Sequence, residues 1–328
     1  MSRMIHKELG GMHVVGVSLA GEESVVAAPE FNVCFDVGRA PREIISIDNV
    51  CLTHGHMDHA AGVAYYFSQR TFVGNAPGRV IVHRGLAQPI QKLMDVWGDI
   101  EGHPSPGQVV GVEPLENIEL RRGLFVRPFA VNHGAHALGY TLVESRHKLK
   151  PDYVGKTGPE LVALKRQNVA IEHHVEVPLM TYTGDTAIGR FLEHGFVQQS
   201  RLLVVECTFF ERDHVARARA GWHIHVDDMP KVYEAVPNAQ VLLIHVTRRT
   251  DMRLAKRILQ RVVKPADFDR TSFLMERPPR GTGSETEPPH VDRDASPVEH
   301  RGRLEGPGPA VNRAPAVRSS SAIRGRLE

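Results

Sequence analysis

Seven consecutive residues, Thr53-His54-Gly55-His56-Met57-Asp58-His59, constrain this chain more than any other feature. Four groups able to ligate a metal fall within six residues, and a turn from a strand into a helix would bring them to one point. A lone histidine is usually an ordinary surface or core residue. Three histidines with an aspartate at this spacing read as a metal site. One ion is satisfied by three or four protein ligands, and four side chains from so short a segment are poorly placed to reach a single ion. The spacing therefore points to two ions, with His54 and His56 on one and Asp58 and His59 on the other. Two ions about 3.5–4 Å apart share a bridging carboxylate and a bridging water or hydroxide. The rest of the chain must then supply that carboxylate and one more histidine for each ion.

Short β-branched or aromatic runs bounded by turn residues predict strands over residues 14–19, 33–36, 49–53, 79–83, 124–131, 139–144, 179–183, 202–206 and 240–245. Apolar residues at helical spacing predict helices over 62–69, 86–97, 229–235 and 252–262. Strands outnumber helices and both kinds occur throughout, so the chain reads as an α/β or α+β layered domain and not a helical bundle. The three further ligands then stand out. His133 comes just after the run 124–131, Asp185 follows 179–183 with Gly184 easing the turn, and His245 ends 240–245. All three lie at the carboxyl ends of predicted strands, where loops gather to form sites. Each alone could be a cap or a turn residue, but with the first motif they complete a site.

Composition narrows the remaining possibilities. The 328 residues carry a formal charge of +2, so no global field announces a nucleic-acid partner. Three scattered cysteines, Cys34, Cys51 and Cys207, argue against a disulfide framework and for a reducing cytoplasm. No apolar stretch near the start suits a signal peptide or a membrane span. We see no internal repeats in the sequence. Residues 1–272 read as the folded domain. Residues 273–328, rich in Pro, Gly, Arg and Ser with few large apolar side chains, read as a disordered tail.

The His-x-His-x-Asp-His motif, followed in order by His133, Asp185 and His245, resembles the metallo-β-lactamase superfamily. The resemblance spans roughly residues 10–262. It implies a four-layer αββα sandwich of two mixed β-sheets with metals at one edge. His59 after Asp58 is similar to the branches that hold two metals. Further segments resemble ribonuclease Z, the endonuclease that trims the 3′ end of precursor tRNA. Glu206-Cys207-Thr208 is similar to that family's Glu-Ala-Thr strand, and Gly221-Trp222-His223 falls where the family places its His-Ser-Thr histidine. Residues 243–249, ending in Val246-Thr247-Arg248-Arg249, resemble its Thr-His-Phe-Ser-Pro-Arg-Tyr. Gly139-Tyr140 follows His133 as in the family, and Phe35-Asp36-Val37-Gly38 is similar to its Asp-Cys-Gly turn.

This resemblance implies His54, His56 and His133 on one metal, Asp58, His59 and His245 on the other, and Asp185 bridging. It implies catalytic roles for Asp58, for His223 as proton donor or charge stabiliser, and for Glu206 paired with His223. Thr247 and Arg249 are the candidate substrate contacts. Cofactors are two divalent ions, zinc by ligand type, with manganese or iron suited to the same donors. The partner is a tRNA precursor or another RNA, and a homodimer is implied by the resemblance alone. The chain also departs from the family. Gly55 and Met57 stand where ribonuclease Z usually has Leu and Gly, and His223 is followed by Ile224-His225. The tRNA-gripping arm is reduced to the interval 148–176, whose basic residues are Lys148, Lys150, Lys156, Lys165 and Arg166. A small phosphodiester such as a cyclic nucleotide, or a thioester, is the alternative substrate. Binding of metal or RNA without turnover is the reading from another class.

Overall fold

Alternating side-chain directions along fully buried strands decide the architecture. In Leu202–Glu206, Leu202 and Val204 face one apolar layer while Leu203 and Val205 face another. A strand buried on both sides needs cover on both faces, and here helices give it on one side and a second sheet on the other. The computed structural model describes residues 4–276.

The first sheet holds seven strands in chain order: β1 (Ile5–Leu9), β2 (Met12–Leu19), β3 (Glu23–Ala28), β4 (Val33–Phe35), β5 (Asn49–Cys51), β6 (Gly78–His83) and β7 (Gly107–Val112). Its first four strands run antiparallel, and β4 to β7 are parallel. The helices α1 (Met57–Ala60), α2 (Val63–Phe72) and α3 (Arg84–Glu101) fall in its crossover connections. The second sheet repeats the plan with β8 (Ile118–Arg121), β9 (Leu124–Ala130), β10 (Leu138–Leu149), β11 (Glu172–Tyr182), β12 (Leu202–Glu206), β13 (Gln240–Ile244) and β14 (Thr271–Phe273). Its first four strands are antiparallel and β11 to β14 parallel. The repeat is one of topology, and no repeated sequence accompanies it.

Between the sheets lies one apolar layer, with Val14, Phe35, Ile81, Tyr140, Tyr182, Val204 and Ile244 among its members. Outside the first sheet, Tyr66, Phe67 and Met94 of α2 and α3 cover Val17, Val50 and Val80. Outside the second, α7 (Met229–Ala235) and α8 (Met252–Val262) bring Met229, Val232, Ala255 and Leu259 onto Leu203, Val205 and Leu243. The order is helix, sheet, sheet, helix, as the resemblance implied. Between those two helices and α3 come the short helices α4 (Gly158–Arg166), α5 (Gly195–Gln198) and α6 (Val215–Gly221), and α9 (Pro265–Asp269) follows α8. Among the described residues, no helix is long and apolar enough to cross a membrane.

Each of the nine predicted strands is present, 202–206 with the predicted ends and the other eight with shifted ones. Five more are not visible as strand patterns. Among them, Ile5–Leu9 carries charges on an edge and Gly107–Val112 opens on glycine. The interval 148–176, read as a reduced arm, is built on an extension of β10 and β11 beyond the sheet, with α4 at its tip. A domain ending at 272 is too short. Thr271–Phe273 pairs with β13, Phe273 is buried in the helix-side layer of the second sheet and Leu274 in the layer between the sheets, so the folded domain runs at least to Glu276. The expected tail from 277 onward lies outside the described residues.

Leu274 is fully buried in the layer between the sheets. Leu274→Ala is expected to destabilise the fold by about 2–5 kcal/mol, the usual cost of a large cavity in a core. Urea unfolding followed by circular dichroism measures it.

Candidate metal centre

The loops after β4, β5, β9, β11, β12 and β13 meet at one edge of the sandwich. His54 and His56 follow β5, and Asp58 and His59 occupy α1 immediately after. His133 follows β9, Asp185 follows β11 and His245 follows β13. At this edge the residues that directly follow β4 and β13 have left-handed backbone, Asp36 at φ 56° and His245 at φ 60°. Asp and His tolerate that region better than most, and such outliers gather where a site fixes them. Gly184, at φ +60°, is needed for a second reason: a Cβ there would sit 2.7 Å from the Thr53 side chain.

All seven predicted ligands converge. His54, His56, His133 and Asp185 offer ligand atoms within 4.8 Å of one another, and so do Asp58, His59 and His245. Asp185 Oδ2 stands between the groups, at 3.9 Å from His54 Nε2, 3.7 Å from His133 Nε2, 3.4 Å from His59 Nε2 and 3.2 Å from His245 Nε2. On the first side, His56 Nδ1 lies 3.0 Å from His54 Nε2 and 3.3 Å from His133 Nε2. On the second, Asp58 Oδ2 lies 3.6 Å from His59 Nε2 and 3.4 Å from His245 Nε2. Donors spaced about 3–4 Å apart suit ions bound at roughly 2.0–2.2 Å.

Two buried carboxylates, each working through a threonine, set which imidazole nitrogen faces this space. Asp36, fully buried, accepts His59 Nδ1–H at 2.7 Å and the Tyr182 hydroxyl at 2.9 Å on Oδ2. Its Oδ1 accepts the Thr53 backbone N–H and hydroxyl, each at 2.8 Å. The single Thr53 hydroxyl hydrogen is thereby used, so Thr53 Oγ1 accepts from His54 Nδ1–H at 2.9 Å. Glu206 does the same in the second sheet. Its Oε1 accepts Thr186 N–H at 2.6 Å and His223 Nδ1–H at 2.8 Å, and its Oε2 accepts the Thr208 hydroxyl at 2.6 Å and Ile224 N–H at 3.2 Å. Thr208 Oγ1 in turn accepts His245 Nδ1–H at 3.0 Å. His133 Nδ1–H donates to Trp222 O at 3.3 Å. By this proton count His54, His59, His133 and His245 all present an Nε2 lone pair to the centre.

That arrangement leaves the donors short of partners. Among the described residues, His59 Nε2 and Asp185 Oδ1 are buried without a well-formed hydrogen bond. Such atoms cost about 1–3 kcal/mol each when left so, and nitrogen lone pairs facing one another at 3.0 Å repel unless a proton or cation lies between. The donor set therefore fits divalent ions. Electrostatics agree. Burial, followed by the neighbouring His59, pushes His54 down to about 2, leaving it neutral as a ligand must be. Burial opposes charge on His59, but Asp185 and Asp36 on either side outweigh it and lift its pKa well above the usual range, so a positive charge is called for there. Burial would raise Asp185, yet His245 and His59 hold it well below the usual carboxylate range.

The other predicted residues are placed as follows. Asp58 Oδ2 accepts Gly21 N–H at 2.8 Å, which fixes it from the β2–β3 turn. His223, half-buried, shares a 4.8 Å cluster with Asp185 and His245. Burial lowers its pKa, and the hydrogen bond and charge of Glu206 more than reverse that. His225, the rival in sequence, is spent elsewhere: its Nε2 meets Glu211 O at 3.0 Å and its Nδ1 accepts Asp227 N–H at 3.2 Å. Thr247 Oγ1 lies 2.9 Å from Thr250 Oγ1, and Arg249 is exposed in the turn after His245. Sequence reasoning gave no role to Asp36, Thr53, Thr208 or to Ser18, whose Oγ accepts His245 N–H at 2.9 Å. A hydroxyl or carboxyl at the end of a buried strand, within two residues of a ligand or its orienting acid, is the signal that marks Thr53 and Thr208.

The fold and this centre define the class of protein. The chain belongs to the beta-lactamase superfamily, with residues 26–246 matching the family model described as "Beta-lactamase superfamily domain". Its curated relatives place it, within that superfamily, in the ribonuclease Z family. It is 32% identical over 168 residues to "Nuclear ribonuclease Z" of Triticum aestivum, covering 51% of this chain and 96% of the relative. It is 29% identical over 245 residues to "tRNase Z TRZ1" of Arabidopsis thaliana, covering 74% of this chain and 88% of the relative. Among solved structures, the metallo-β-lactamase fold protein YhfI from Bacillus subtilis shares the fold at a TM-score of 0.53 and 14% identity, covering 76% of this chain and 92% of that one.

Asp36 fixes the tautomers of two candidate ligands without itself facing the centre. Partners of this kind are typically worth 10–100-fold in metal affinity. Asp36→Asn is expected to weaken zinc binding by about that factor. Competition against a chromophoric chelator checks it, with circular dichroism to confirm that the chain remains folded.

Proposed function

We propose that this chain is a two-metal phosphodiesterase that cleaves RNA, acting at the 3′ ends of tRNA precursors. The observation that carries the reading is the placement of half-buried His223, held by buried Glu206, beside the seven-donor centre, with Asp185, His223 and His245 offering atoms within 4.8 Å. A metal site alone would serve many hydrolases. A histidine presented by a buried carboxylate at its edge adds a proton donor, which an alkoxide leaving group needs and an activated ester does not. The ribonuclease Z relatives support RNA as the substrate.

His54, His56 and His133 would hold one ion, Asp58, His59 and His245 the other, with Asp185 between them. When bound, the ions lower the pKa of a water and neutralise charge on the phosphoryl group, and zinc, manganese or iron suits these donors. Asp58, anchored by Gly21 N–H, is placed to take the proton of the attacking water. His223, whose Nδ1 is tied to Glu206, keeps Nε2 toward the phosphate and delivers a proton to the departing oxygen. Lys148, Lys156 and Arg166 are exposed on the ribbon formed by β10, β11 and α4, where they can meet phosphates, whereas Lys165 is engaged by Glu172 at 2.7 Å. The shortness of this ribbon favours, as a second reading, a small phosphodiester or thioester substrate.

His223→Ala is expected to slow cleavage of a 3′-extended tRNA precursor by roughly 10²–10⁴-fold, the usual worth of a positioned acid. The same variant should slow bis-para-nitrophenyl phosphate far less, because nitrophenolate departs without a proton. Asp185→Ala should abolish both. Equal losses on the two substrates in His223→Ala would contradict the proton-donor role. Wild-type turnover of the small diester, with no RNA cut, would transfer the reading to small phosphodiesters.

A further inference from the structure

Helix α6 ends in a Schellman motif whose left-handed position is a tryptophan. Trp222 has φ 58° and ψ 48°, its N–H reaches Arg219 O at 3.3 Å, and the next N–H, of His223, reaches Ala218 O at 2.9 Å. Glycine is the usual occupant of this position, and a side chain with a Cβ takes it at a cost. The indole does not recover that cost by burial, since Trp222 is 51% exposed. Its backbone is nonetheless tied into the centre: its carbonyl accepts His133 Nδ1–H, and the following residue is His223 on Glu206. A strained, exposed aromatic is thus held at the mouth of the candidate active site.

Beside it opens a cavity of about 620 Å³, lined by Val131, Asn132, Gly134, Ala135, Ala187 and Trp222. Apart from the indole its walls are small and apolar, and at Gly134, φ +106°, even an added Cβ would meet nothing within 4 Å. The exception is Asn132. One of its amide hydrogens goes to Ile188 O at 3.1 Å, which leaves the second hydrogen and the oxygen for a ligand. An aromatic plane, a roomy apolar slot and one amide are the features that receive a nucleobase: the ring stacks on its face and the amide meets its edge. The slot also lies beside the metal centre, since Asn132 and Gly134, on either side of the candidate ligand His133, line it.

We propose that this cavity is a nucleobase subsite, taking the base of the nucleotide that flanks the scissile phosphate on the His223 side, with Trp222 as its stacking platform. The assignment of the phosphate rests on the phosphodiesterase reading above. Stacking of this kind is sequence-tolerant, because every base has a π-face. The subsite would therefore position the substrate strand without selecting one base.

Two measurements test this on the full chain. The protein has two tryptophans, so Trp97→Phe leaves Trp222 as the sole indole reporter. Adenosine 5′-monophosphate should quench its fluorescence saturably, and ribose 5-phosphate should not. Equal quenching by both, or none by either, overturns the subsite. Cleavage is then compared on RNAs bearing a single abasic nucleotide on one or the other side of the scissile phosphate. For one of the two positions, wild type should lose roughly 5- to 100-fold in kcat/KM, mainly through KM. Trp222→Gly removes the ring and suits the left-handed backbone. It should show the same loss on intact RNA and no further loss on that abasic RNA, while Trp222→Phe stays near wild type. Losses that multiply between variant and abasic RNA mean that the ring does not touch the base, and overturn the proposal. If wild type cuts no RNA, the RNA reading above falls, and the nucleotide titration alone decides the subsite.

Discussion

The structure at the functional edge depends on two carboxylates that never face the open site. Asp36 and Glu206 are both fully buried, and each accepts four donors. Burying a carboxylate is costly unless such bonds satisfy it. Here the satisfied carboxylate becomes an anchor. Each holds one histidine directly and another through a threonine whose hydroxyl hydrogen is already committed. Asp36 fixes His59 and, by Thr53, His54; Glu206 fixes His223 and, by Thr208, His245. One proton count therefore determines four ring orientations. Loss of either acid would free two rings at once and leave buried donors unpaired.

The topology explains why the anchors come as a pair. Each sheet is an antiparallel run that turns into parallel strands, and each contributes the carboxyl ends of those strands to the common edge. Asp36 and Thr53 belong to the first sheet, Glu206 and Thr208 to the second. Asp185 leaves β11, the strand at which the second sheet changes from antiparallel to parallel, and its Oδ2 reaches imidazoles carried by both sheets. The centre is in this sense a product of the interface between the two halves, and neither half contains it. The left-handed backbone at His245, stabilised by Ser18 from the opposite sheet, is a local sign of that cross-sheet fit.

Much of this was legible in the sequence, for specific reasons. His54 to His59 stood out because ligand density within one turn is rare by chance, and His133, Asp185 and His245 stood out because each closes an apolar strand pattern. The layered α/β class followed from alternating strand and helix patterns. What escaped was carried by weak local signals. β1 and β7 are edge elements whose burial is partial, so their alternation is diluted by charge or glycine. Phe273 and Leu274 sit next to a Pro- and Arg-rich stretch whose composition masked the last strand, placing the boundary a few residues early. Thr53 and Thr208 look like ordinary strand termini, and only the hydrogen-bond count reveals that each passes a carboxylate's orienting effect to an imidazole. Trp222 gave no signal, since nothing in Gly221-Trp222-His223 says that the tryptophan and not the glycine takes the left-handed position.

The central claim is that the seven donors form two cation sites sharing Asp185. Metal stoichiometry tests it most directly: the full chain is stripped with chelator, dialysed to equilibrium against zinc and, separately, manganese, and assayed by mass spectrometry alongside Asp185→Ala. The account predicts two ions per chain in the wild type and a loss of both, or a steep fall in affinity for both, in the variant. One ion per chain in the wild type, or two bound with undiminished affinity in Asp185→Ala, would contradict it.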